Sequence, residues 1–147
     1  MFKFACFLML LVSCEAGAVD NFITPPKRIV KLAKQLAYPD FPTYLDILAV
    51  IRVESAYRTN AINPEKGIPS VGIMQVRGGS KDLDKNMIAG TGLLRQYYKR
   101  LDSSENAIRS YNVGIGTFKA GKAKISADQY YKKFLHHRKQ LEIHFRQ

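Results

Sequence analysis

The chain has 147 residues, the length of one domain with an ordinary hydrophobic core, and its 46% apolar and 24% charged residues are typical of globular proteins. This excludes a disordered chain, a collagen-like repeat and a multi-span membrane protein. Lys plus Arg number 23 against 12 Asp plus Glu; the resulting +11 points to an anionic partner surface and says nothing about the fold.

The N-terminus has the plan of an export signal. Lys3 is a positive start, Phe4 to Val12 is an apolar run far short of the ~20 residues that span a bilayer, and Ala16-Gly17-Ala18 offers small residues for cleavage after Ala18. Leu11-Val12-Ser13-Cys14 competes as a lipobox, in which Cys14 carries a lipid. Both cysteines, Cys6 and Cys14, lie in or beside this segment, so a domain of residues 19–147 is expected to hold no disulfide. Its charge remains +11, because Lys3 and Glu15 leave together.

Beyond the signal no repeat, low-complexity stretch or Pro/Gly/Ser linker divides the chain, which reads as a single, mainly helical domain with at most a very short β element. Residues 25–38 predict a first helix with Thr24 as N-cap, Pro25 at its first position and an apolar stripe of Ile29, Val30, Leu32 and Leu36; Pro39-Asp40-Phe41-Pro42 ends it. A second helix from Thr43 to Tyr57 is apolar nearly all round, as a helix buried on most sides is. Residues 59–80, dense in Asn, Pro, Gly and Ser, read as a long functional loop with a short strand near Gly72–Val76. Helices follow over 84–101 and 104–112. The last is expected over 127–145, opened by a Ser126/Gln129 capping box, with Tyr131, Phe134, Arg138, Leu141 and Phe145 along one side.

Glu54 is the most informative residue. It continues the face of Ile47, Val50 and Ile51, whereas Arg52, two positions away, points elsewhere. A carboxylate held against apolar neighbours is expected to have a raised pKa, as a general acid near neutral pH requires. Position alone also allows a solvent-facing glutamate at a helix end.

Around it the sequence resembles the lytic transglycosylases of goose-type lysozyme-like fold. Glu54-Ser55-Ala56-Tyr57 is similar to that family's Glu-Ser-x-aromatic, Gly72-Ile73-Met74-Gln75-Val76 to its Gly-Leu-Met-Gln-Ile, and Tyr111-Asn112-Val113-Gly114-Ile115-Gly116 to its Tyr-Asn-Ala-Gly-x-Gly. Asn86-Met87-Ile88-Ala89-Gly90 looks like its Asn-Ile-x-x-Gly helix start, and Tyr130 matches a later cleft tyrosine. The motifs fall in the family's order over residues 43–135. Ser110 departs from the usual Ala, Leu93 from a frequent aromatic, and Asn63 and Ser70 both remain candidates for the family's loop serine. The long loop after Glu54 is closer to small members that serve secretion, conjugation or phage penetration.

The resemblance implies cleavage of the MurNAc–GlcNAc β-1,4 bond of peptidoglycan in the periplasm or cell envelope, without cofactor or metal. Glu54 would act as acid and then base and leave a 1,6-anhydroMurNAc end. Ser55, Gly72, Met74, Gln75, Tyr111, Asn112 and Tyr130 are the implied substrate-binding set, with ordinary burial or helix capping as their alternative roles. Two rival functions are a hydrolytic muramidase, with Asp82 or Asp84 activating water as second carboxylate, and an idle wall-binding assembly protein.

Other signals lead to plainer readings. Gly116 to Ala123 approaches a phosphate-binding loop, but Ala123 replaces the magnesium-holding hydroxyl and no strand is expected before it. His136 and His137 are adjacent and so lie on different sides of a helix, a poor metal pair. Lys119, Lys122, Lys124, Lys132, Lys133, Arg138 and Lys139 make the C-terminal third basic, which suits contact with an anionic wall; nucleic acid is not expected as partner, nor a membrane beyond the signal or a lipid on Cys14.

Overall fold

A computed structural model describes residues 21–64 and 67–147. The expected export signal, with its cleavage-site and lipobox alternatives, lies outside the described residues. The domain is mainly helical, as expected. Helix α1 (Lys27–Leu36) and helix α2 (Tyr44–Ser55) come first, followed by strands β1 (Ile62–Asn63), β2 (Ser70–Val71) and β3 (Val76–Arg77). Helices α3 (Leu83–Leu101), α4 (Ser104–Val113), α5 (Ile115–Lys119) and α6 (Lys124–Arg146) complete it. Among the described residues no helix is long and apolar enough to cross a membrane.

The centre is α2. Ile47, Leu48, Ala49, Val50 and Ile51 are all fully buried, five consecutive positions that sweep the whole helix circumference. Thr43 caps it in a closed box: its Oγ1 accepts from the Asp46 amide, and Asp46 Oδ2 accepts from the Thr43 amide at 2.9 Å. Helix α6 makes the largest packing against α2 and α1 also packs on it, while α3 packs on α4 and α1, and α4 on α6. Arg95 of α3 fastens the α1–α2 turn. It donates to Asp40 Oδ1 and to the Phe41 carbonyl, each at 2.7 Å, with its guanidinium 4.4 Å from the Tyr38 ring centre.

Several expected boundaries move, each for a local reason. Helix α1 starts at Lys27 with Pro26 as N-cap, not at Pro25 behind Thr24. Pro25 precedes a proline and is driven out of the helical region, so the first helical bond runs from the Val30 amide to the Pro26 carbonyl. Helix α6 starts at Lys124 with Ala123 as cap, so Ser126 lies inside the first turn and forms no capping box. Its hydroxyl instead donates to Asn112 Oδ1 at 2.9 Å and joins α6 to α4. The short strand expected near Gly72–Val76 appears as two, β2 before and β3 from Val76, while Gly72–Gln75 is a turn: Gly72 and Gln75 both take positive φ, which a strand forbids. The segment turns back through a Gln75 amide to Gly72 carbonyl bond and sets β3 antiparallel to β2. Helix α5 occupies a stretch expected to be loop. Arg138 does not belong to the open basic face, because it lies against α2 with its Nε on Asp46 Oδ1 at 2.6 Å and its Nη1 on Glu142.

Candidate active site

Helix α2 runs out where Glu54 stands. Ala56 (φ 50) and Tyr57 (φ 66) follow in the left-handed region, which costs a non-glycine residue on the order of 1 kcal/mol. Two anchors hold this strained exit. The Ser55 hydroxyl donates to the Ile73 carbonyl at 2.7 Å, and the Arg58 Nε donates to the Ser55 carbonyl at 3.0 Å. The helix end is thereby bolted to the Gly72–Val76 turn, so Ser55 is a buried brace and is not among the residues lining the cleft.

The turn is fixed in the same way from α3. Buried Asn86 donates through Nδ2 to the Val71 and Ser80 carbonyls, both at 2.8 Å, and accepts the Met74 amide at 2.9 Å. Gly72 leaves room for this amide: a Cβ there would lie 2.4 Å from Asn86 Nδ2. Gly90 makes the corresponding allowance for Met74, whose Sδ would lie 2.6 Å from a Cβ at position 90. Gly72 and Met74 therefore shape the floor from below and do not line the cleft. Met74 is fully buried and contributes its carbonyl, which accepts the Tyr111 hydroxyl at 2.7 Å.

Above this floor lies a cleft of about 410 Å³, lined by Glu54, Asn63, Ser70, Gln75, Val76, Arg77, Leu93, Tyr97, Tyr111, Asn112, Val113 and Gly114. Glu54 is half-buried, and its Oε1 accepts the hydroxyl of Tyr130 on α6 at 2.5 Å. Burial, then the negative charge of Glu54, pushes both the Tyr130 and Tyr111 phenols well above their ordinary pKa, so each remains a neutral donor. Gln75 spends its Nε2 protons on the Gly72 and Ala61 carbonyls, at 2.8 and 3.1 Å, and is held rigidly in the cleft wall. Among the described residues Glu54 is the one carboxylate lining the cleft. Asp82 caps α3, accepting the Lys85 amide at 2.9 Å, and Asp84 pairs with Arg28 at 3.3 Å.

The structure thus brings Glu54, Gln75, Tyr111 and Asn112 to one cleft, with Tyr130 clasping the carboxylate from α6. It puts Ser55, Gly72 and Met74 in the supporting layer. Asn63 and Ser70, both candidates for one role, are cross-strand partners and both line the cleft. Arg77 and Tyr97, which also line the cleft, were not among the site residues expected from the sequence. Tyr97 lies one turn beyond Leu93, so the i, i+4 spacing on α3 was the signal for an aromatic ring in this wall. A second cavity of about 390 Å³, between α4, α5 and α6, carries the Arg109–Asp128 ion pair and does not include Glu54. Comparison of the chain with family models, with curated proteins and with solved structures returned no match.

Proposed function

We propose that the chain is a peptidoglycan lytic transglycosylase with a goose-type lysozyme-like domain, acting in the cell envelope. The observation that carries this reading is that Glu54, clasped by the Tyr130 hydroxyl, is the single cleft carboxylate among the described residues, while Asp82 and Asp84 are committed elsewhere. A hydrolytic route needs a second carboxylate to activate water. Neither aspartate weighed for that task lines the cleft, which favours the route with one acid–base group.

In that route protonated Glu54 gives its proton to the glycosidic oxygen as the C1–O bond breaks. The sugar's acetamido oxygen bonds C1 from the opposite face and forms an oxazolinium ion. Glu54, now a carboxylate, takes the proton of the 6-hydroxyl. The O6 atom bonds C1, displaces the acetamido oxygen and closes the 1,6-anhydro ring, leaving Glu54 protonated again and consuming no water. Tyr130 fixes the rotation of the carboxyl, and Tyr97, Tyr111 and Asn112 offer ring faces and hydrogen bonds to the sugars. Mass spectrometry of sacculus digests tests the reading. The expected fragments are one water lighter than hydrolysis products, and Glu54→Gln abolishes their release while leaving the fold intact. Hydrated ends would instead identify a muramidase, and an undigested sacculus an idle binder.

A further inference from the structure

The sheet brings three polar residues into one row. Asn63 is the Cα partner of Ser70, and Ser70 of Arg77. Directly opposed residues of neighbouring strands project to the same side, and all three line the cleft that holds Glu54. Arg77 is the cation of that lining, is exposed, and forms no ion pair with a described residue. A strand of neutral sugars gives a guanidinium hydroxyl and acetamido oxygens but offers it no opposite charge. A carboxylate does, and its two oxygens match the paired N–H groups of arginine.

We propose that Arg77 binds a carboxylate carried by the glycan beside the scissile bond, making the cleft selective for acidic strands over neutral β-1,4-linked N-acetyl sugars. This rests on the reading of the cleft as a glycan-cleaving site. The carboxylate has two sources: the lactyl group of a bare muramic acid or an attached peptide. Arginine suits the task better than lysine, since the planar fork fixes the direction of the bound group, whereas an ammonium supplies charge alone. The row places this recognition on the hairpin, in the same cleft that Tyr111 and Asn112 of α4 line.

The test compares full-length wild type, Arg77→Gln and Arg77→Lys on three strands: peptide-bearing, peptide-free with free lactyl carboxylates, and peptide-free with those carboxyls converted to methylamides. Wild type should favour strands with free carboxylates over blocked ones by about three- to tenfold in kcat/KM, the range for one partly screened Arg–carboxylate pair. Arg77→Gln should erase that preference, and Arg77→Lys should keep part of it. A preference for peptide-bearing over both peptide-free strands assigns the carboxylate to the peptide. A preference for free lactyl strands over both peptide-bearing and methylamide strands assigns it to the lactyl group. Equal use of the first two, both above the methylamide, means that either carboxylate serves. An unchanged preference in Arg77→Gln, or none in wild type, overturns the proposal. Strand binding is measured in parallel. Arg77-dependent binding without cleavage would overturn the transglycosylase reading and leave this one standing.

Discussion

Tyr130→Phe isolates the contact that defines the site. The substitution removes one oxygen from a ring that is 6% exposed and leaves the packing of α6 on α2 in place. The lost bond is the 2.5 Å donation to Glu54 Oε1. Hydrogen bonds to charged groups are worth ~1.5–3 kcal/mol and neutral ones ~0.5–1.5 kcal/mol. Tyr130→Phe should therefore destabilise wild type by ~2 kcal/mol but Glu54→Gln protein by only ~1 kcal/mol, a coupling of ~1 kcal/mol. Urea unfolding midpoints of the four proteins at pH 7, fitted as two-state transitions, measure the cycle. Release of anhydro fragments should fall together with stability, by about tenfold for each ~1.4 kcal/mol of lost transition-state positioning. Equal costs of Tyr130→Phe in both backgrounds would show that the hydroxyl does not serve the carboxylate and would refute the reasoning.

The tyrosines give a pH prediction. Burial pushes Tyr57, Tyr111 and Tyr130 above the ordinary phenol value of 10.0, so above that pH the unfolded chain releases protons that the folded one retains. Their stabilisation is full below pH 10 and is lost as pH rises further. Tyrosinate absorbance should show these three lagging behind the exposed rings, with unfolding midpoints falling from pH 9 to 11; all eight tyrosines titrating together would contradict it. Gly90→Ala drives a methyl to 2.6 Å from Met74 Sδ and 2.8 Å from its Cβ, an overpacking expected to cost ~1–3 kcal/mol in chemical denaturation and to reduce cleavage by shifting the carbonyl that holds Tyr111. An unshifted midpoint would contradict this. Ser110→Ala removes a fully buried hydroxyl with no hydrogen-bond partner among the described residues, so thermal unfolding should show an unchanged or more stable protein, by up to ~1–2 kcal/mol.

What could be read from the sequence divides along the range of the interactions. Helices α2, α3 and α4 were legible because their stripes and caps are local: Thr43 and Ser103 each accept an amide three residues on. The starts of α1 and α6 were misread where two local rules competed, proline against proline at residues 25–26 and a capping box against a cross-helix bond at Ser126. Two-residue strands carry no alternation to read, so the hairpin and its Asn63–Ser70–Arg77 row appeared only with the coordinates. At the site, Glu54 was legible as a carboxylate continuing an apolar face. The division between cleft lining and supporting layer was not, because a motif records that Ser55, Gly72 and Met74 are needed without recording which side of the floor they occupy.

The donor that orients Glu54 arrives 76 residues later in the chain, on the helix that also covers α2. A chain that lacks α6 has the acid without its clasp, and has lost the largest packing partner of its central helix and the Arg138–Asp46 pair as well. On the proposed reading, the clasp on the acid and the main cover of the central helix are therefore lost together with α6. A single proteolytic cut in the exposed Gly121–Lys124 turn, followed by loss of α6, would extinguish activity completely rather than in stages.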